Sequence, residues 1–477
     1  MQKKNITKLN KFAIVCIFFF AVITLIRIFN HIPWFDEAHA WTIAEQLSFF
    51  EMLDYIKNEG HFFVWQVILY PFAKLHLYPY SMQIINWLFC LSAVILMWWK
   101  APFNNWIKAL ITFSFPFLGC YGVIARCYSV GILLLFALAT FYECKVKYPK
   151  IYALLLIICA NTSIMGLIGA TAFGILFLVD IFKNKLSKKD AILTGIILSV
   201  GVILILWQIL GNIYFSDIVK DAHLYTTAVM FFNTYVYHNL WLNLILDIVF
   251  AIPVLLYIYN KKSAVFFIGF TYVILLILSL KFYGFNFWHA YFYFIFLIIT
   301  FWIADKKEEV SKIKNIAFIV FGLISFVLIF HSPEEKVFSG TFNSDAKIVL
   351  KSIESDDVLR KSIIIHNSGS LYELIPYIHN KSFKLKNYCQ IADNTDYDLF
   401  QIFYGGCVRG NIFGQAQKYP DVIREIVGKS NNVYAFTKKD KNPLINNYGV
   451  IYADKYSIFI KKYKCFENYC FWKVEIQ

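Results

Sequence analysis

The sequence predicts a polytopic α-helical membrane protein of about 11–12 membrane segments, followed by a soluble α/β domain. Three observations predict it. The chain of 477 residues is 59% apolar and only 16% charged, with a mean hydropathy of +0.57, which water cannot solvate as a globule. Apolar runs of spanning or near-spanning length recur between residues 12 and 331, with lysine clusters in the gaps. From Pro333 no such run follows, and Lys, Asp, Asn and Ser take over.

The first run, Phe12 to Phe29, follows Lys3, Lys4, Lys8 and Lys11, which assign the N-terminus to the cytoplasmic side. No small-residue cleavage site comes after it, so it reads as an anchor and not as a removed signal. Trp34 to His61 comes next, in an extracytoplasmic loop over 30–60. Its adjacent acids Asp36 and Glu37 precede His39 and a helically spaced apolar set, Ala40, Trp41, Ala44, Leu47, Met52 and Leu53. Acids in the first turn of an interfacial helix sit in the field of its exposed N–H groups, so a capped helix with two ordinary acids is one reading.

Further runs cover 61–78, 83–99, 104–121, 128–143, 151–167, 168–182, 191–210, 241–259, 264–282, 287–304 and 314–331. Several fall short of the roughly 20 residues of an untilted span. Lys100 and Lys108, Lys145 to Lys150, Lys183 to Lys189, Lys261-Lys262 and Lys306 to Lys314 belong on the cytoplasmic side. Alternation from 83 onward satisfies all of them, with 314–331 exiting outward. Helix 12–29 also exits outward, so 61–78 must begin and end on one face. It reads as re-entrant or interfacial, unless 151–167 and 168–182, which meet near Met165-Gly166, are miscounted.

The membrane part thus spans 1–331 and the soluble part 332–477, an ordinary single-domain length. Short apolar runs at Ser362–Ile365, Val433–Phe436 and Tyr456–Ile460 read as strands, and 344–354 and 419–428 as helices. His366-Asn367-Ser368-Gly369-Ser370 reads as a strand-to-helix turn with a serine cap, or as a phosphate seat. Six cysteines lie in or beside apolar runs, where a thiol is a small hydrophobe. Cys389, Cys407, Cys465 and Cys470 match no zinc or redox spacing. In an extracytoplasmic domain, Cys465–Cys470 and Cys389–Cys407 could pair as disulfides, with free thiols the alternative.

The net charge of +14 does not argue for nucleic acid, because the lysines lie between apolar runs, as cytoplasmic loops facing anionic lipid do. The polar residues that remain gather at the outer face: Asp36, Glu37, His39, Glu59, His61, Arg126, Tyr128, the 211–239 loop and Tyr283 to His289. A transporter would bury ionisable groups near the midplane and often carry inverted repeats, and neither is seen. Glycosyl transfer from a lipid-linked sugar phosphate suits an outer-face set. It needs a carboxylate to take the acceptor proton and donors where the departing phosphate gathers charge. Asp36 fits the base, and Arg126 fits the phosphate because its planar fork pairs two oxygens at once. A metal is then optional. Arg126 reads equally as a snorkelling interfacial arginine, Tyr128 as an aromatic-belt residue and His61 as an interfacial histidine.

FDEAHAW after the first helix, EGHFFVWQVILYPFAKL, and IARCYSVGILLLF resemble bacterial membrane glycosyltransferases of the GT-C fold. That group includes the protein O-mannosyltransferases and the aminoarabinose lipid A transferases. Their acid motif matches Asp36-Glu37. Gly60-His61-Phe62-Phe63 matches the first half of a Gly-His-Pro-Pro motif and lacks its prolines. Arg126 to Tyr128 matches an Arg-x-Tyr element, and Trp288-His289-Ala290-Tyr291 loosely matches a late basic motif without its arginine. The resemblance covers 12–143 best, 144–331 weakly and the C-terminal domain not at all. It implies a GT-C-like fold in a bacterial cytoplasmic membrane, Asp36 and Glu37 as catalytic acids, and His39, His61, Arg126, Tyr128 and His289 as donor-phosphate or substrate contacts. It further implies a polyprenyl-phosphate sugar donor and inverting transfer to a glycan, lipid or protein acceptor, with no required cofactor and a divalent metal as an option. Two other classes are a transporter or flippase of lipid-linked saccharides, and a glycan receptor anchored by its helices.

Overall fold

The computed structural model describes residues 10–33, 35–58, 61–184, 186–210, 248, 251–281, 287–305, 312–330, 346–366, 384–387, 432–438, 458–466 and 469–476. These residues are mostly helical. Among them, five helices are long and apolar enough to cross a membrane: Lys11–Asn30, Tyr80–Lys100, Ile164–Lys183, Lys188–Leu210 and Lys262–Ser279. That marks a helical membrane protein. The chain separates into two compact units, one of 1–30, 53–68 and 82–341, the other of 31–52, 69–81 and 342–477.

In the first unit, α1 (Lys11–Asn30) packs on α6 (Asn105–Phe113), and both lie against a π-turn over Pro116–Tyr121. The run 104–121 is therefore not one helix. Ser114 ends α6, its hydroxyl and its N–H both bonding back to Ile111 O, and Pro116 has no N–H with which to continue the ladder. The chain continues through α7 (Tyr128–Phe141), α8 (Pro149–Ala160), α9 (Ile164–Asn184) and α10 (Lys188–Leu210), which pack against one another as α7–α8, α8–α9 and α8–α10. Here too the expected boundary moves. The break falls at Asn161-Thr162-Ser163 and not at Met165-Gly166, because Thr162 Oγ1 donates to Cys159 O and Ser163 Oγ accepts from Gly166 N as a cap.

α11 (Lys262–Lys281) and α13 (Lys312–Phe330) flank the unit, packing on α12 (Phe287–Ala304) and α6 respectively. Every residue of α12 from Tyr291 to Trp302 is buried. A helix apolar on all sides has no solvated face and belongs inside. α10 is the opposite case. It exposes Ile192, Ile196, Val200, Ile203 and Leu210, a face suited to lipid. The segment expected over 61–78 forms only α4 (Val64–Lys74), with Pro71 inside it. At 1.5 Å per residue its eleven residues reach about 16 Å, short of a span.

Two ion pairs gather four helix ends of this unit at one face. Lys145, past α7, binds Asp180 of α9 at 2.8 Å, and Lys150 of α8 binds Asp190 of α10 at 3.1 Å. The other ends of α7 to α10, at Tyr128, Asn161, Ile164 and Gln208, therefore share the opposite face.

The second unit holds α2 (Phe35–Gln46) and the start of α3 (Phe49–Tyr55). The single helix expected after the acid pair is broken at Leu47-Ser48. Ser48 and Glu51 form a capping box that starts a new helix, Ser48 N donating to Glu51 Oε2 at 2.9 Å and Ser48 Oγ at 2.6 Å. The unit also contains α14 (Ala346–Glu354) and a five-stranded sheet. Its strands are β1 (Ile363–His366), β2 (Lys384–Asn387), β3 (Val433–Lys438), β4 (Ile458–Cys465) and β5 (Tyr469–Ile476), in the order β2-β1-β3-β5-β4. β1 is parallel to β2 and β3, while β5 is antiparallel to β3 and β4. Val349, Ile353, Leu359, Ile364, Tyr434 and Phe471 form the core between α14 and the sheet. Cys465 and Cys470 face each other across the β4–β5 hairpin and are disulfide-bonded. The expected helix over 419–428 and the pair Cys389–Cys407 lie outside the described residues, as does Asn367–Ser370.

Candidate functional site

The first unit brings together four of the residues singled out by sequence: His61, Arg126, Tyr128 and His289. They come from three places in the chain, and a local reason positions each. Gly119 and Gly122 let the π-turn close. A Cβ at Gly119 would stand 2.2 Å from the Phe115 ring, and one at Gly122 would stand 2.4 Å from Phe117 O. The turn leads to Arg126, two residues before α7, and to Tyr128, the first residue of α7, and π-turns of this kind are frequent at functional sites. Asn86 pins it, donating to Tyr121 O at 3.0 Å and accepting from Ser129 Oγ at 2.5 Å.

Arg126 is 8% exposed, and its Nη2 donates to His61 Nε2. A guanidinium only donates, so Nε2 must be the lone-pair nitrogen and the proton sits on Nδ1, which points at Cys127 Sγ at 3.5 Å. Tyr128, 4% exposed, is the hub of the group. Its hydroxyl bonds His289 Nε2 at 2.9 Å, its ring meets the His61 and His289 rings edge-on at 5.7 and 5.8 Å, and the Arg126 guanidinium carbon lies 6.0 Å from its centroid. The snorkelling reading of Arg126 and the aromatic-belt reading of Tyr128 both fail on burial: neither group reaches the surface those readings need. His289 is buried in the first turn of α12, whose Trp288 O accepts from Tyr121 Oη at 2.7 Å.

His61 is anchored from behind by a buried amide network. Gln208 Oε1 accepts from Phe63 N at 3.0 Å, Gln208 Nε2 donates to Asn161 Oδ1 at 2.8 Å, and Asn161 O accepts from Val64 N at 3.2 Å. The chain after His61 is thus tied to the ends of α8 and α10, at the face away from the lysine–aspartate pairs. No protein-family model matches the chain, and no curated protein matches it.

The other three candidates belong to the second unit and are described within it. Asp36, half-buried, and Glu37, fully buried, stand in the first turn of α2, with His39 buried on the same helix. Glu37 Oε2 accepts from His31 Nε2 at 2.7 Å. Of the two acids, Asp36 is the more exposed. The same unit ties Glu45 to His76 Nδ1 at 2.8 Å, with Lys74 Nζ on Glu45 O at 2.7 Å. Among the described residues no group of three or more His, Cys, Asp or Glu side chains is arranged to hold a metal ion.

Sequence reading missed Arg27, Asn161 and Gln208. Two are plain amides in apolar runs, with no pattern to mark them. Arg27 closes the first span, where a cation ordinarily reads as an interfacial anchor.

Proposed function

We propose that the protein is an inverting membrane glycosyltransferase of GT-C type, moving a sugar from a polyprenyl-phosphate donor to an envelope acceptor. The observation that carries this reading is a buried arginine hydrogen-bonded to a histidine at the face where helix ends meet. A guanidinium held in place by His61 and the Tyr128 ring presents a fixed planar fork, the group type that pairs phosphate oxygens two at a time. His289 and Tyr128 add further hydrogen-bonding groups beside it. The acid motif Asp36-Glu37 after the first helix supports the second half of the chemistry.

In this reading the acceptor hydroxyl oxygen attacks the anomeric carbon from the side opposite the phosphate. The carbon–oxygen bond to the phosphate breaks, its electron pair leaves with the phosphate, and Asp36 takes the hydroxyl proton. Arg126 stabilises the charge that grows on the phosphate. Glu37 steadies α2 through His31. The Cys465–Cys470 disulfide favours an oxidising, extracytoplasmic side for the sheet domain.

Transfer from a radiolabelled polyprenyl-phosphate sugar tests the roles. Asp36→Asn should lose turnover by roughly 100-fold or more while still binding donor. Arg126→Ala should lose donor affinity as well as turnover. An Asp36→Asn protein with full transfer activity would refute the assignment of the base.

A further inference from the structure

We propose that Arg27, beside the π-turn that leads to Arg126, is a second phosphate-binding group, a proposal that rests on the donor reading above for its natural ligand. Arg27 is 3% exposed, and its Nε has no hydrogen-bond partner among the described residues. A guanidinium taken out of water without a counter-charge costs several kcal/mol, so a buried one is retained where something pairs with it. Its electrostatic neighbour is Cys120, a buried thiol that supplies no such charge.

Placement supplies the ligand. The start of α1 lies beside the lysine-bearing ends of α5 (Tyr80–Lys100) and α6, where the Phe12 ring meets those of Trp98 and Trp106 at 6.0 and 5.3 Å. Its other end lies along the π-turn: a Cβ on Gly122 would stand 3.1 Å from Thr24 Cγ2, and Thr24 Oγ1 accepts from Trp87 Nε1 at 2.9 Å. Arg27 is one further turn on, about 4.5 Å along the axis from Thr24. It therefore lies beside the π-turn near Cys120, the turn that leads on to Arg126. A planar fork buried in apolar surroundings suits a phosphate oxygen pair, and two sources can bring one into a membrane protein: a polyprenyl phosphate or a bilayer phospholipid.

Full-length protein in uncharged detergent, wild type and Arg27→Met, would be titrated separately with polyprenyl phosphate, polyprenol, phosphatidylglycerol and diacylglycerol, reading affinity and melting temperature. Polyprenyl phosphate should bind and stabilise the wild type, and polyprenol should not. Arg27→Met should bind it about ten- to a hundredfold more weakly, yet melt no lower than the wild type without ligand, since a buried Nε–H without a partner has been removed. Arg27→Lys, which keeps the charge and loses the fork, should fall between them. If only phosphatidylglycerol binds in an Arg27-dependent way, the phosphate site stands and the donor reading fails. Unchanged affinity in Arg27→Met overturns the proposal, as does a wild type that binds neither phosphate.

Discussion

Arg126 illustrates why residue type and geometry both matter at this site. Its planar guanidinium donates to His61 in a fixed orientation, which a lysine ammonium, a single point on a flexible stem, cannot reproduce. Arg126→Lys is therefore expected to raise the donor KM by about tenfold or more, although the charge is kept. A lysine variant with wild-type KM would show that charge alone is used. Asp356 makes the equivalent case in the sheet domain. Burial works against its charge, but N–H groups of Leu359 and Val358, the Lys464 ammonium and the Tyr463 hydroxyl outweigh that and hold its carboxyl below the usual range. A depressed carboxyl stabilises the fold above its unfolded pKa, and that contribution is lost as pH falls through the folded value. Asp356→Asn should thus weaken hydrogen-exchange protection of β4 and β5 at neutral pH by about 1–3 kcal/mol. The gap from wild type should close below the ordinary carboxylate range, and a gap that is independent of pH would contradict this account.

Among elements, the segment from His61 into α4 is the one whose form depends most on partners distant in sequence. Its backbone N–H groups at Phe63 and Val64 are satisfied by Gln208 and Asn161. Gln208→Leu leaves Phe63 N and Asn161 Oδ1 without their bonds, a loss of about 1–3 kcal/mol, and frees His61 to drift from Arg126. The expected result is a higher donor KM with kcat nearly unchanged, and Gln208→Glu should restore part of the affinity through its remaining acceptor oxygen. Equal loss in both variants would reduce Gln208 to a packing residue. None of this was legible in the sequence. An apolar run announces itself by composition, whereas an amide inside it gives no sign of what it will bond. For 61–78 the lysine pattern offers a re-entrant segment or a miscounted pair at 151–182, and the helix formed there, α4, is only eleven residues long. The π-turn was not foreseen: Ser114 and Pro116 break the 104–121 run, but hydropathy averages over both.

At the scale of the molecule, charge and hydropathy carried most of the prediction. The lysine-rich gaps at 145–150 and 183–189 do come together, through Lys145–Asp180 and Lys150–Asp190, and the polar residues His61, Arg126, Tyr128 and His289 meet at the other helix ends. The C-terminal sheet was legible at β1, β3 and β4, whose branched and aromatic runs are strong strand signals. β2, Lys384–Asn387, has no such run, and β5 was passed over because Lys473 and Glu475 interrupt its apolar residues. The topology makes a direct prediction. A cysteine introduced at Lys147 should resist an impermeant thiol reagent in intact cells, and one at Phe50, which is 80% exposed, should react. The reverse pattern would invert the proposed orientation.

The measurement that bears most directly on the central claim is release of polyprenyl phosphate from a lipid-linked sugar by the purified protein in vesicles. A glycosyltransferase cleaves the sugar–phosphate bond, so free polyprenyl phosphate should accumulate with the wild type and not with Asp36→Asn. Intact donor carried from one leaflet to the other with no bond broken would contradict the account and make the protein a flippase.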